Sequence, residues 1–141
     1  MATPEAPQRT LLSVVQSWPQ DAQSVPLARD ALRTTLESWG MAYLADRASL
    51  VLSELMTNAL QHASNLGAEI EVSYGASPDS VHLEVFDADA DRWPRMRPAS
   101  TTCDRGRGLQ LVDAITDGRW GTQEHSGLGK VVWAYIGGGG E

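Results

Sequence analysis

The stretch Leu50-Val-Leu-Ser-Glu-Leu-Met-Thr-Asn-Ala-Leu-Gln-His62 decides the reading of this chain. Apolar residues at Leu52, Leu55, Met56, Ala59 and Ala63 recur at helical period and predict the packing face of an amphipathic helix. Glu54, Asn58 and Gln61 fall on the opposite stripe, about one turn apart. A carboxylate and a carboxamide stacked in this way suit a metal–phosphate site. The amide oxygen is a hard ligand for Mg²⁺, and the carboxylate can take a proton from an attacking hydroxyl. By itself, such a pair more often marks a solvated helix face, so its meaning depends on its surroundings.

Working outward, residues 10–17 are rich in apolar and β-branched residues and predict a first strand closed by Trp18-Pro19. Residues 25–39 carry a helical period, with Ser24 as the expected cap, Pro26 near the first turn and Gly40 as the stop. Asp46 is placed to cap the second helix, which runs through Glu54 and Asn58 to about Ala63, and Asn65 and Gly67 supply the turn out of it. The period then changes. Residues 68–74 and 81–86 alternate in and out around Pro78-Asp79, which predicts an antiparallel hairpin. Residues 87–105 show no regular pattern and contain Pro94 and Pro98, as expected of a functional lid or a disordered insert. Residues 108–115 read as a short helix, and Trp120 and residues 130–136 as two closing strands. No segment repeats. Early helices and late strands predict an α+β fold, a two-layer α/β sandwich with a mostly antiparallel mixed sheet and helices on one face.

With 141 residues and 42% hydrophobic content, the chain can bury one sizeable core, so a single domain over residues 10–136 is expected. Residues 1–9 are Pro/Ala/Thr-rich and expected to be disordered, and residues 137–141 form a Gly-rich tail. No apolar run reaches signal-peptide or membrane-span length. A single cysteine, Cys103, rules out an internal disulfide or a Cys-based metal site, which makes a reducing cytoplasm the default expectation. The net charge of −7 argues against nucleic acid as the main partner. Even so, Arg92, Arg95, Arg97, Arg105 and Arg107 gather in one short segment, a local cationic loop better suited to a small phosphorylated ligand than to a polyanion.

Three further features stand behind the helix pair. The second hairpin strand runs into Asp87, and a strand-end carboxylate beside a cleft can accept a hydrogen bond from an exocyclic amine and so select adenine. Asp104-Arg-Gly-Arg-Gly-Leu-Gln-Leu111 places Gly106 and Gly108 where backbone can approach a ligand closely, just before a helix whose free N–H groups can seat a phosphate. Arg105 and Arg107 can add charge-assisted bonds there. No Walker A lysine follows, and no Gly-x-Gly-x-x-Gly follows a strand. Gly127-Leu-Gly-Lys-Val-Val-Trp133 then opens the last strand with small residues.

In this order the motifs resemble the Bergerat ATP-binding fold (the GHKL superfamily) shared by gyrase B, MutL, chaperone-type ATPases and histidine kinases. Within it, LVLSELMTNALQHA, DRGRGLQLVDAITDGRWG and GKVVWA are similar to the small single-domain branch of anti-sigma-factor serine/threonine kinases and related actinobacterial regulators. The resemblance spans about residues 10–136. It implies ATP and Mg²⁺ as cofactors, with Asn58 as the Mg²⁺ ligand, Glu54 as general base and Asp87 as the adenine contact. It further implies a phosphate loop at Gly106 and Gly108 leading into Leu109, with Arg105 or Arg107 toward the γ-phosphate. The implied partners are an anti-sigma antagonist protein carrying the acceptor serine, a sigma factor, and a second copy in a homodimer formed through exposed parts of the first strand and helix. Direct nucleic-acid and membrane contacts are not expected. Two departures stand out. Asp87-Ala-Asp-Ala-Asp91 replaces Asp-x-Gly-x-Gly, and Val131 stands where many relatives carry an adenine-holding threonine. A nucleotide-sensing binding regulator without useful catalysis is therefore the second expectation. A histidine kinase fits less well, because no helical phosphoacceptor domain is present and His62, His82 and His125 lie in or beside the core pattern.

Overall fold

The computed structural model describes residues 12–62, 69–87, 109–124 and 129–137. Strand β1 (Leu12–Pro19) leads into helix α1 (Ser24–Ser38), a 3-10 turn (Ala42–Leu44) and helix α2 (Ala45–His62). Strands β2 (Glu69–Ser77) and β3 (Ser80–Asp87) form a hairpin; helix α3 (residues 109–116) and strands β4 (Trp120–Glu124) and β5 (Lys130–Gly137) follow. The five strands lie in the order β1-β2-β3-β5-β4, and all four pairings are antiparallel. The fold is α+β, a sheet with helices on one face, as the change of period predicts.

Burial explains the layering. Ala28, Leu32 and Leu36 recur every four residues on α1, while Ala48, Val51, Leu52, Leu55, Met56 and Ala59 fill one side of α2. They meet the inward row of the sheet, Ile70, Val72, Tyr74, Val81, Leu83, Val85, Val132, Ala134 and Ile136. Helix α3 adds Val112 to the same core, so all three helices lie on that side. Interior residues of this kind each contribute roughly 1.5–3 kcal/mol through removal from water. The alternate residues of each strand face the other way and, apart from buried Gly75, those described are half-buried or exposed.

Several boundaries differ from the sequence reading for local reasons. Strand β1 does not close at Ser17 but runs through Trp18 and Pro19, paired with Ile70 and Glu69. As β1 is an edge strand, the missing Pro19 N–H removes no interior ladder bond. Ser24 is not the cap of α1. Its hydroxyl donates to the Pro19 carbonyl at 2.7 Å, and it is the Asp21 carboxylate that accepts the Ser24 N–H at 3.1 Å. Asp46 lies inside the first turn of α2, where it pairs with Arg33 of α1 at 2.6 Å. Strand β5 extends one residue into the Gly-rich end, pairing Gly137 with Ser80.

Gly40 ends α1 as expected. With φ at 77° it donates to the Glu37 carbonyl at 3.1 Å, while the Met41 N–H reaches back to Leu36 at 2.8 Å. This is the Schellman arrangement, and buried Met41 and Leu36 supply its hydrophobic contact.

Candidate functional site

Helix α2 packs its apolar side against β3 and β5 and thereby holds Glu54 and Asn58 at the border of the two layers. Both side chains are half-buried, whereas Gln61 is exposed. The sequence reading put all three on a stripe opposite the core, and the structure corrects this for Asn58. Seven residues separate Asn58 from Val51, so the two point within about 20° of each other, and Val51 is fully buried. Asn58 therefore sits at the edge of the core.

The consequence is chemical. The Asn58 side-chain oxygen is buried and has no hydrogen-bond partner among the described residues. A buried acceptor left unpaired costs about 1–3 kcal/mol, and native interiors retain few such groups. The orphaned atom is a hard amide oxygen one helical turn from a carboxylate, and those are the donors a Mg²⁺–phosphate site draws on. Among the described residues, no cluster of three or more His, Cys, Asp or Glu could cage a metal by itself.

Asp87 is the last residue of β3, and its backbone pairs with Ile70 on one side and Lys130 on the other. It thus stands in register with the row that faces the helices, at the end of the strand against which α2 packs. The Asp87 side chain, and Arg105, Gly106, Arg107 and Gly108, lie outside the described residues. Leu109, half-buried, opens the described part of α3. That helix is anchored by buried Val112 and by Thr116, whose hydroxyl donates to the Val112 carbonyl at 2.8 Å. Behind it, the Trp120 indole N–H donates to the Asp113 carboxylate at 2.9 Å.

The start of β5 alters one expectation. Val131 pairs with Phe86 and Gln123 in the outward row, so a side chain at 131 faces away from the helix layer. It is Lys130, only 8% exposed, that lies on the helix side in register with Asp87. Val131 thus lies on the face opposite the candidate nucleotide groups, and Lys130 is a further candidate on the helix side. Strand alternation counted back from buried Val132 was the signal for it.

No helix among the described residues is long and apolar enough to cross a membrane. No curated protein matches the chain. The histidine kinase-like ATPase domain, an ATP-binding family, matches residues 18–136, spanning the helix of Glu54 and Asn58, the Gly106/Gly108 segment and the closing strands. The chain belongs to the histidine kinase-like ATPase domain family.

Proposed function

We propose that this ATPase-family domain is an anti-sigma factor with ATP-dependent serine/threonine protein kinase activity. It would phosphorylate a serine on an antagonist protein and hold a sigma factor, acting as a homodimer. The observation that carries the chemical part is the buried Asn58 oxygen, unpartnered among the described residues and one turn from Glu54. The sequence likeness to the single-domain anti-sigma kinases supports the choice of partners. In this reading Asn58 ligates Mg²⁺, which when bound neutralises charge on the phosphates. Asp87 takes the adenine amine, and the Gly106/Gly108 backbone ahead of α3 takes the phosphates. Glu54 aligns the acceptor hydroxyl and removes its proton as the phosphoryl group transfers, so no covalent enzyme intermediate is required.

The test is transfer of label from γ-labelled ATP to a bound antagonist. Glu54→Gln keeps the shape of the residue but removes its charge. A base needed only as transfer proceeds contributes mainly to the transition state. ATP affinity should therefore stay near wild type while transfer falls on the order of 10²-fold or more. Full transfer by Glu54→Gln, or none by wild type to any antagonist that binds it, would overturn the kinase reading. The Asp87-Ala-Asp-Ala-Asp91 loop, with no glycine, favours the second reading of a nucleotide-sensing regulator without catalysis, and the latter outcome would select it.

A further inference from the structure

The outward face of the sheet carries an open aromatic pocket. Its floor is a set of cross-strand neighbours: His82 of β3 opposite Tyr135 of β5, and Glu84 of β3 opposite Trp133 of β5, with Gln123 of β4 beyond. Together these five residues line an open pocket of ≈ 320 Å³, at the small end of ligand pockets, which run from about 300 Å³ upward. The His82 and Tyr135 rings stack at 4.5 Å, and Trp133 meets Tyr135 edge-on at 5.8 Å.

Two features make this more than an incidental aromatic cluster. First, the Trp133 indole is seated on a missing side chain. A Cβ at its cross-strand partner Gly121 would lie 2.8 Å from the indole, so glycine at 121 is what lets the ring settle against β4. Second, Glu84 is held at the centre of the aromatic group. One of its oxygens accepts from the Ser73 hydroxyl at 3.4 Å, and the other lies 3.4 Å from His82 Nε2. Burial holds the His82 imidazole below its ordinary pKa, against the opposing pull of Glu84, so the neighbouring ring leaves the carboxylate charge uncancelled at neutral pH.

The charged residues at outward strand positions are all acidic among the described residues. Glu71 and Glu69 continue from Glu84 across the same face, and no Lys or Arg occupies any outward strand position among the described residues. Arg119, just before β4, gives its guanidinium to the Gly137 carbonyl at 2.7 Å and to that of Thr116 at 3.1 Å. Aromatic faces around a carboxylate attract cations. A guanidinium suits them better than an ammonium, because it is planar, stacks on rings and can meet a carboxylate through two donors.

We propose that this pocket, on the face opposite the nucleotide site, takes an arginine side chain presented by an extended basic segment of a partner protein. The arginine stacks on Trp133 and Tyr135 and pairs with Glu84, and neighbouring basic residues of the segment lie along Glu71 and Glu69. The site does not depend on ATP binding or on the kinase reading.

The test is ¹H–¹⁵N NMR of the full chain titrated with an acetylated peptide of three alternating Arg-Ser units, in parallel with its neutral citrulline counterpart. The expected result is saturable movement of the Trp133 indole N–H, with the citrulline peptide at least tenfold weaker. Glu84→Gln should weaken arginine-peptide binding at least fivefold. Trp133→Ala should abolish it while leaving the methyl signals of the core in place. Equal binding of the two peptides, or no effect of Glu84→Gln, would overturn the proposal. So would signals on this face that move on dilution but not with peptide, since a second copy of the chain would then cover it.

Discussion

At Asn58 the same atom argues both for function and against stability. An amide oxygen buried without a partner destabilises the free protein, so truncating it should not unfold the chain. Asn58→Ala is expected to leave the unfolding free energy within about 1 kcal/mol of wild type or to raise it, as the unpaired acceptor and a small cavity offset each other. Urea unfolding with unchanged m reads this directly; a loss above about 3 kcal/mol would make Asn58 a structural residue. His82 carries a second residue-scale prediction. Its folded pKa is lowered by burial, so between the folded value and the ordinary one of about 6.5 the unfolded chain binds more protons. Stability should therefore fall as pH drops through that window. Glu84 pulls the other way, so Glu84→Gln should lower the His82 midpoint further, with Tyr135 the other titratable group facing it. Titration of the imidazole signals by NMR checks both statements, and a midpoint at or above the ordinary value would contradict the burial of His82.

The elements show how far local chemistry reaches. Period placed α2 and, with the Pro78-Asp79 turn, the β2–β3 hairpin, because alternation and the 3.6-residue repeat follow directly from which faces are buried. Gly40 was legible for the same kind of reason, as a stop that only glycine adopts cheaply. A Cβ there meets no atom within 4 Å, so Gly40→Ala should cost only the backbone penalty of about 1–2 kcal/mol, measured by urea unfolding. No change would mean that α1 ends without its left-handed turn. The cap of α1 was not legible. Ser24 and Asp21 are both good capping residues by type, and only the return of the chain to the Pro19 carbonyl gives the Ser24 hydroxyl another partner. Asp21→Ala should therefore destabilise the fold by about 1 kcal/mol, while Ser24 is held by its burial against β1.

At the scale of the whole molecule, the sequence order of motifs identified the family, but strand register was needed to sort residues between two faces. Val131 and Lys130 are adjacent in the chain and lie on opposite sides of the sheet, which no motif comparison distinguishes. Glu54 and Asn58 could be named from their spacing, whereas the burial of the Asn58 oxygen depends on where β3 and β5 pass beneath α2. The helix side holds Glu54, Asn58 and Lys130, and the opposite side of the sheet carries an acidic aromatic surface, so one domain can present a ligand site and a partner site on separate faces. Calorimetric titration of ATP into wild type and Asn58→Ala, in Mg²⁺ and in EDTA, shows whether Asn58 is a metal-dependent nucleotide ligand. Binding is expected to depend on Mg²⁺ and to weaken about tenfold or more in Asn58→Ala, with the two proteins converging in EDTA. Equal affinity of both proteins in Mg²⁺ would contradict it.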